Sequence, residues 1–474
     1  MSFPKYPEYK DSGVEWLGEV PVHWAVQRLK WSTASCRNGV WGDEPKGDEN
    51  DILCIRVADF DRPRMRVSLS KPTYRNVTVN ERKGRLVHPG DLLLEKSGGG
   101  EKQPVGFVVL YDDGDPAVCS NFVARIELSE GMSPSFWRYV HAAGYAVRLN
   151  VPSIKQTSGI QNLDQKSYLD EQGAFPPADE QIRIAAFLDH QTKKIDTLIA
   201  EQRRLIELLK EKRQAVISHA VTKGLDPNVP MKDSGVEWLG EVPAHWSVVK
   251  VKHAAKLESG HTPSKANPEY WDGGIPWVSL NDSKALAKND HISDTRFSIS
   301  VEGIDNSSAR MLPPGAVVFT RDATIGLAAI TTKEMTVSQH LIAWLCDTNR
   351  LLSEYLLLVF YGMKGELDRH TFGATLKTIG MPDIRRLFMP LPPLSEQKRI
   401  VDSVFERRTR LSEMVEEADK GIRLLRERRS ALISAAVTGK IDVRGWSAGA
   451  EADEPELAMV AEESAGYSAQ GGSA

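Results

Sequence analysis

Two segments of this chain each occur twice, in the same order. Residues 10–24 read KDSGVEWLGEVPVHW and residues 232–246 read KDSGVEWLGEVPAHW, identical at fourteen of fifteen positions with an offset of 222. Residues 176–224 and 392–440 align without a gap at an offset of 216, with 18 of 49 positions identical. A period near 220 residues is far longer than the unit of a solenoid protein, so it predicts two similar domains in one chain.

Both copies of the longer segment have the pattern of a long helix. Each opens with Pro-Pro, which blocks helix before it, then places Asp179 or Ser395 as an expected N-cap and Glu180 or Glu396 in the first turn. Apolar residues follow in alternating steps of four and three, with polar interruptions. The predicted seams are Ile184, Leu188, Gln191, Ile195, Leu198, Gln202, Leu205, Leu209, Lys212 and Val216, and Ile400, Val404, Arg407, Leu411, Met414, Ala418, Gly421, Leu425, Arg428 and Leu432.

Two matched seams in one chain predict helices that pair with each other and act as a spacer on the order of 60 Å long. The alternative is that each is an ordinary amphipathic helix packed on its own domain.

The stretches between the repeated segments share a skeleton but differ strongly in sequence. An apolar strand pattern, DILCIRVADF or GIPWVSLND, is followed by a glycine-led one, GDLLLEKSGGG or GAVVFTRDATIG, and then by CSNFVARIEL or VSQHLIAWL. A helix pattern follows at 133–149 and at 351–369. The predicted fold class is therefore α+β, with two similar globular domains joined and spaced by two long helices.

The repeats and composition shifts define the expected layout. The predicted segments are a first domain at 10–175, a helix at 176–224, a linker at 225–231, a second domain at 232–391, a helix at 392–440 and an acidic tail at 445–474. The tail is rich in Ala, Glu, Gly and Ser and has few bulky apolar residues, so we expect it to be disordered.

Composition indicates an ordinary globular protein with reduced thiols. The chain has 474 residues, of which 41% are hydrophobic and 26% charged. Its four cysteines lie far apart and form no CxxC motif, which argues against a zinc site or a disulfide framework. The first residues lack the apolar run of a signal peptide, and no segment approaches eighteen consecutive apolar residues. These features predict a cytoplasmic location and no membrane partner.

The net charge of −4 does not argue against a nucleic-acid partner. The last thirty residues contain six acidic and no basic side chains, so the rest of the chain carries a net charge of +2. A nearly neutral protein binds DNA through local basic loops, although the charge balance alone does not demand this.

The sequence shows no convincing catalytic motif. It has no GxxxxGK[ST] loop, no GxGxxG after a strand, and no HxxxH or HExxH spacing among its eleven histidines. NPEY at 267–270 only partly matches the adenine-holding loop of amino-methyltransferases. Pro382-Asp383 with 396–398 formally fits the PD…ExK pattern of nucleases, but the first copy of the repeat lacks both the first acid and the lysine. The sequence therefore predicts no catalytic, cofactor-binding or metal-binding residue in this chain.

Basic and amide side chains instead cluster in predicted loops, often beside glycines. Arg and Lys neutralise phosphates and contact guanine, whereas Asn and Gln contact adenine. Any one of these residues alone is more simply a solvated surface residue, so the prediction depends on their clustering. The candidate DNA-binding residues are Arg62, Arg64, Arg82, Lys83, Lys96, Lys102, Gln103, Lys155 and Gln156 in the first domain, and Lys265, Asn267, Asn281, Lys284, Arg310, Arg321 and Arg369 in the second.

Taken together, these segments resemble the specificity (S) subunits of Type I restriction–modification systems. The resemblance rests on HTPSKANPEYWDGGIPWVSLND from His261, on GDLLLEKSGGGEKQPVG from Gly90, and on the helix starts at Pro176 and Pro392. It extends over nearly the whole chain, to about Val443.

The resemblance implies two target recognition domains, each of which reads one half of a split double-stranded DNA site. It implies that the two long helices pair as an antiparallel coiled coil. The implied partners are two methyltransferase (M) subunits and, where restriction occurs, two restriction (R) subunits. S-adenosylmethionine, ATP and Mg²⁺ would belong to those partners, and no cofactor to this chain.

Two other functional classes remain open from the residues alone. A coiled-coil scaffold would organise partner proteins without binding DNA, and a self-sufficient nuclease or methyltransferase would act as a purified chain. Affinity for DNA that falls steeply with salt would distinguish the specificity subunit from the scaffold, because phosphate contacts release counterions.

Overall fold

The computed structural model describes residues 3–157, 159–373 and 377–447. The described residues form two compact units: the first contains those up to Glu201 together with 421–447, and the second is Gln202–Lys420. Residues 448–474, most of the tail predicted to be disordered, lie outside the described residues. Within the described residues, no helix is both long and apolar enough to cross a membrane.

Two long helices, α4 (Ala178–Lys223) and α10 (Leu394–Val437), each contribute one half to each unit. In the first unit, Arg429 near the end of α10 donates from Nε to Oδ1 of Asp196 in the first half of α4, at 3.0 Å. In the second unit, Val221 near the end of α4 shares a core with Ile400 near the start of α10. The paired halves therefore run antiparallel within each unit.

The predicted seam needs one correction, at the same place in both helices. The four-three steps predicted Leu198 and Met414 as inward positions, but their side chains are 46% and 50% exposed. The adjacent residues Ile199 (7% exposed) and Val415 turn inward instead. From Ile195 the buried positions step first by four and then by three, the reverse of the predicted order. After this point every second seam position is therefore displaced by one residue, as with Ile206 in place of Leu205 and Ile422 in place of Gly421, whereas Leu209, Ala418 and Leu432 are buried as predicted.

The helix starts also differ slightly from the prediction. Asp179 and Ser395 were expected to precede the helices as N-caps, but both helices begin one residue earlier, which places these residues inside the first turn. Glu180 and Glu396 lie in the first turn, as expected.

The repeated fifteen-residue segment forms the same hairpin in each unit. The strands β1 (Tyr9–Asp11) and β2 (Glu19–Pro21) pair antiparallel, as do β17 (Met231–Asp233) and β18 (Glu241–Pro243). The tryptophan that ends each copy, Trp24 or Trp246, is almost completely buried. Identical sequence thus produces an identical local structure anchored by the same aromatic side chain.

Glu180 gathers three side chains of the first unit around the start of α4. It is 5% exposed. Its Oε2 accepts hydrogen bonds from the Tyr6 hydroxyl and the Trp24 Nε1, both at 2.9 Å, and its Oε1 lies 2.6 Å from His23 Nε2. In the second unit, Glu396 lies 2.8 Å from His245 Nε2, but among the described residues Trp246 Nε1 has no hydrogen-bond partner. Among the described residues, the Glu180 carboxylate is therefore hydrogen-bonded to the tryptophan of its hairpin, whereas the Glu396 carboxylate is not.

We expect Glu180→Ala to destabilise the first unit by about 2–5 kcal/mol, because it leaves the buried Tyr6 and Trp24 donors unsatisfied. Glu396→Ala is the matched control, and its effect should be smaller because it removes one partly exposed contact. Hydrogen exchange of the full chain, followed by mass spectrometry, would locate each loss of protection. Equal losses in the two units would contradict this account of the cluster.

The first unit combines the hairpin β1–β2 with three further sheets and one strand pair. The six-stranded sheet has the order β4-β13-β9-β11-β7-β6, and the smaller sheets are β12-β5-β8, β10-β15-β14 and β16-β3. Its remaining strands are β3 Ala25–Arg28, β4 Thr33–Asn38, β5 Asp51–Ile55, β6 Phe60–Asp61, β7 Arg66–Val67, β8 Tyr74–Asn76, β9 Leu92–Glu95, β10 Ser97–Gly98, β11 Val108–Leu110, β12 Ala117–Cys119, β13 Val123–Leu128, β14 Ile154–Thr157, β15 Ile160–Leu163 and β16 Gln172–Phe175. Its short helices are α1 Val79–Arg82, α2 Pro134–Ala146 and α3 Gln165–Leu169.

The second unit repeats this plan with fewer strands. Its five-stranded sheet has the order β20-β27-β24-β25-β22, and the smaller sheets are β23-β21-β26, β19-β30 and β28-β29. Its strands after the hairpin are β19 Ser247–Lys250, β20 Ala255–Ser259, β21 Trp271–Val278, β22 His291–Ile292, β23 Phe297–Ile299, β24 Val317–Thr320, β25 Ala328–Thr331, β26 Thr336–Val337, β27 Leu341–Cys346, β28 Thr371–Phe372, β29 Thr378–Ile379 and β30 Phe388–Leu391. Its helices are α5 Ser283–Lys288, α6 Val301–Asp305, α7 Ser353–Gly362, α8 Lys364–Arg369 and α9 Met381–Ile384.

In each unit the central strands are buried on both faces and a helix packs on the main sheet. Leu92, Leu93 and Leu94 of β9 have no exposed surface, and α2 packs against β11. In the second unit β24 is equally buried, and α7 packs against β24 and β25. The α+β prediction is confirmed.

Candidate nucleic-acid interface

Each unit has a concavity at the same place in the fold. A strand, β5 or β21, ends in a short 3-10 turn, Val57–Asp59 or Leu280–Asp282, and a second chain segment lies beside this turn. In the first unit Ser120 donates its N–H to Ile55 O at 2.9 Å, and in the second unit Ser338 donates to Val278 O at 2.8 Å. These bonds give corresponding positions in the two concavities.

A carboxylate closes the turn in both units. The backbone N–H of Arg56 donates to Asp59 Oδ2, and that of Ser279 donates to Asp282 Oδ2, each at 2.8 Å. Both carboxylates belong to residues that are 7% exposed. The floor of each concavity is therefore held rigidly, whereas the residues that face outward from the turn differ between the units.

A glycine lets a third segment pass close to the concavity. A Cβ on Gly39 would lie 2.0 Å from Cys119 O, and a Cβ on Gly260 would lie 2.0 Å from Ser338 O. No larger residue fits without moving the backbone. The segments that follow these glycines bring Trp41 and Thr262 to the two concavities.

The first concavity has a volume of about 470 Å³ and a largely apolar wall. Its lining residues are Trp41, Arg56, Val57, Ala58, Glu95, Ser97, Gly98, Gly99, Ser120, Asn121 and Phe122. The guanidinium of Arg75 stacks over the Trp41 ring at 4.5 Å. Asn121 and Phe122 are both exposed at its edge. Aromatic faces and an exposed amide in one concavity suit contact with nucleobases.

The second concavity is larger, about 640 Å³, and more aromatic. Its lining residues are Thr262, Lys265, Trp271, Asp272, Trp277, Ser279, Leu280, Asn281, Phe297, Ser338, Gln339 and His340. The Trp271 and Trp277 rings meet edge to face with centroids 5.1 Å apart. The two linings thus differ in size and chemistry although the backbone frame is the same.

Several polar groups of the second concavity are positioned by neighbours. The Thr262 hydroxyl donates to Gln339 Oε1, and Gln339 Nε2 lies 3.3 Å from His340 Nε2. The other imidazole nitrogen, Nδ1 of His340, lies 2.7 Å from Asp322 Oδ2. Ser338 is only 1% exposed, and its hydroxyl has no hydrogen-bond partner among the described residues. A buried hydroxyl without a partner suits a site that a ligand completes.

Lys96 and Arg321 occupy corresponding positions beside the two concavities. The Lys96 N–H donates to Phe122 O at 2.8 Å, and the Arg321 N–H donates to His340 O at 3.0 Å. Both residues follow the last position of a central strand, β9 or β24, and both side chains are half-buried. One predicted basic residue of each unit therefore lies at the corresponding position beside its own concavity.

Among the other candidates of the first unit, two are engaged in partly buried contacts. Arg62 donates from Nη2 to Glu95 Oε2 at 2.8 Å and lies over the Phe107 ring at 4.8 Å. Burial raises the pKa of Glu95, and the Arg62 charge opposes this effect. Arg82 donates to Glu49 O and Asn50 Oδ1.

The remaining candidates of the first unit are exposed, and some of them form surface ion pairs. Arg64 pairs with Asp61 at 3.3 Å, and Lys155 pairs with Asp164 at 2.7 Å on the hairpin β14–β15. The exposed residues are Arg64, Lys83, Lys102, Gln103, Lys155 and Gln156. Lys102 and Gln103 belong to the turn that follows Gly98 and Gly99, which line the first concavity.

In the second unit, two of the predicted residues, Lys265 and Asn281, line the concavity itself. Asn267 has a structural role, because its side chain accepts a hydrogen bond from the Glu269 N–H and caps the turn Pro268–Tyr270. Arg369 forms an ion pair with Glu237 at 2.9 Å. The exposed candidates are Lys265, Asn281, Lys284, Arg310 and Arg369, whereas Asn267 and Arg321 are half-buried.

Apart from Asn281, sequence reasoning missed the aromatic and amide residues of both concavities, and it also missed Arg56. The missed residues are Trp41, Arg56, Asn121 and Phe122, and Trp271, Trp277, Phe297, Gln339 and His340. A signal was present in the aligned strings CSNF and VSQH, which place Ser-Asn-Phe opposite Ser-Gln-His at a constant offset. The aromatic residues lie far apart in sequence, and no spacing connects them.

The described residues offer little for covalent or metal chemistry. Burial raises the pKa of Cys54 and Cys119 to about 12 and that of Cys36 and Cys346 to about 11, so these thiols stay protonated at neutral pH. Within the described residues, no group of three or more His, Cys, Asp or Glu side chains has the arrangement of a metal site. What the two concavities offer is recognition by stacking, hydrogen bonding and charge.

A family model and two related proteins all indicate similarity to the same family. Residues 243–413 match the family model described as Type I restriction modification DNA specificity domain. The specificity subunit of the type I restriction enzyme MjaIX from Methanocaldococcus jannaschii is 28% identical over 188 residues, which are 38% of this chain and 43% of that protein. The EcoBI specificity subunit from Escherichia coli is 21% identical over 457 residues, which are 93% of this chain and 90% of that protein.

A solved structure shares the fold. A chain from a structure of the type I R-M system, which concerns its complex assembly and conformational transition, superposes with a TM-score of 0.70 and 16% sequence identity. The match covers 89% of this chain and 99% of that one. This chain is therefore similar to the specificity subunits of type I restriction–modification systems, in one matched domain and in an alignment over nearly its full length, and it shares the fold of the solved chain.

Proposed function

We propose that this chain reads a bipartite double-stranded DNA site, with one half-site at each concavity and its surrounding loops. The observation that carries the proposal is the pair of concavities, which have corresponding backbone hydrogen bonds but different lining residues. Two concavities with the same backbone arrangement but different lining side chains suit the recognition of two different base sequences. The basic residues Lys96 and Arg321, placed alike beside the two concavities, supply charge for phosphate contacts.

The near-identical repeated segments support a second part of the proposal. A surface that occurs twice in one chain suits two copies of one partner. We assign this role to two methyltransferase subunits, with restriction subunits as further partners. In this assignment S-adenosylmethionine, ATP and Mg²⁺ are bound by the partners, and the chain supplies no catalytic group. The complex then acts in the cytoplasm, where it meets the chromosome.

A map of adenine methylation across the genome of the native host, made with and without this gene, tests the proposal. We expect deletion to remove one bipartite motif, whose two halves then define both half-sites. Restoration of the motif by the gene on a plasmid is the control. A host in which no motif depends on the gene would count against the proposal.

Salt dependence separates DNA reading from a scaffold role. Binding of the purified chain to a duplex that carries the motif should weaken by orders of magnitude between 50 and 200 mM salt if several phosphates are contacted, on the order of 10³-fold for about six contacts. Fluorescence anisotropy measures this directly. A protein-organising scaffold would show no affinity for the duplex at any salt concentration.

A further inference from the structure

Asn121 and Gln339 are corresponding residues of the two concavities and both carry a carboxamide. Each follows a buried serine, Ser120 or Ser338, whose N–H bonds to the end of the neighbouring strand. Each also precedes a residue whose carbonyl accepts the N–H of Lys96 or of its counterpart. Both side chains are exposed and line the concavity. The two linings therefore carry the same chemical group, an amide, at this position.

The hydrogen bonds around Gln339 leave a defined pair of free positions. A carboxamide oxygen accepts two hydrogen bonds and its nitrogen donates two. The Thr262 hydroxyl uses one acceptor position of Oε1, and His340 Nε2 lies 3.3 Å from Nε2. Among the described residues, one acceptor position of Oε1 and one donor position of Nε2 remain without a partner. Adenine presents the complement, an N6 donor and an N7 acceptor, in the major groove.

We propose that Asn121 and Gln339 each contact one adenine, so that each half-site contains an adenine read by an amide at the same position of the frame. This inference rests on the proposed function and names the base that these residues select. The neighbouring side chains differ, Phe122 opposite His340 and Ala58 opposite Asn281. The bases beside the two adenines are therefore expected to differ between the half-sites.

The unpartnered hydroxyl of Ser338 adds to the proposal in the second unit. It lies next to Gln339 in the chain and lines the same concavity. A base edge or a bound water at the adenine would give this hydroxyl the partner that the described residues do not supply.

The test replaces the native gene by Asn121→Ala or Gln339→Ala in the host and maps methylated adenines. In each variant, one adenine of one half-site should no longer be required for methylation. Sites that carry another base at this position should be methylated about tenfold or more above the wild-type level. The two variants should relax different half-sites. Asn121→Gln and Gln339→Asn keep the amide and should retain the preference for adenine.

Two exposed amides outside the concavities provide matched controls, Asn80→Ala in the first unit and Asn289→Ala in the second. Both control variants should direct methylation to the wild-type motif. If methylation in the wild-type host occurs at a bipartite motif, and Asn121→Ala and Gln339→Ala give methylation at that same motif, the adenine assignment is wrong while the proposed function stands. Relaxation at a base other than adenine, or loss of methylation in both the alanine and the amide-retaining variants, would also overturn the assignment.

Discussion

A variant that lacks residues 195–201 and 424–430 is expected to methylate a bipartite site whose gap is about three base pairs shorter. The two deleted segments face each other, since Asp196 pairs with Arg429. Removing seven residues from each helix preserves the heptad register and shortens the pair by about 10 Å. One base pair rises about 3.4 Å, so the half-sites should approach by about three pairs.

The measurement is the methylation map of a host that carries only the shortened gene. Deletion of 195–201 alone is the control, and it should abolish methylation because the partner helix then has no matching segment. An unchanged gap in the double deletion would refute the idea that the helices set the spacing, whatever the half-sites are.

The double variant Lys96→Ala/Lys102→Ala should weaken binding to one half-site and leave the association with methyltransferase subunits intact. Each lost phosphate contact lowers affinity about fivefold at physiological salt, so two contacts correspond to a loss on the order of 25-fold. The slope of log affinity against log salt should fall in magnitude by about two. Anisotropy titrations at several salt concentrations give both quantities, and co-purification tests the assembly.

The control for this variant is Lys5→Ala/Lys71→Ala, which removes two exposed lysines outside the predicted interface. It should leave the slope nearly unchanged. If the methyltransferase subunits no longer co-purify with Lys96→Ala/Lys102→Ala, the loop after β9 contacts protein rather than DNA, and the assignment of the DNA face is wrong.

The long helices and the duplicated hairpin could be predicted because their signals are local and repeated. Pro-Pro starts and apolar spacing define the helices, and fourteen shared residues define the hairpin. The seam register could not be fixed to one residue. Leu198 and Ile199 are adjacent and both apolar, and only packing against the partner helix decides which of the two side chains is buried.

The concavities could be predicted only in part. Glycine-rich loops indicated Lys96 and the turn after it, but the wall of the second concavity joins Trp271 to Gln339, residues that are far apart in sequence. Such a site depends on strand pairing across the sheet, which a single sequence does not reveal. Arg62 illustrates the opposite problem, because a basic residue in a predicted loop forms an ion pair with the buried Glu95.

The first unit is built from two separated stretches of chain, and this has a consequence for its synthesis. Gly439 packs against Pro21 and Trp24, and the Asp442 N–H donates to Pro4 O at 2.8 Å. A ribosome delivers residues in order, so the second unit has all of its residues before the first unit has received its closing segment. The half of the protein that is translated first is therefore the half that is completed last.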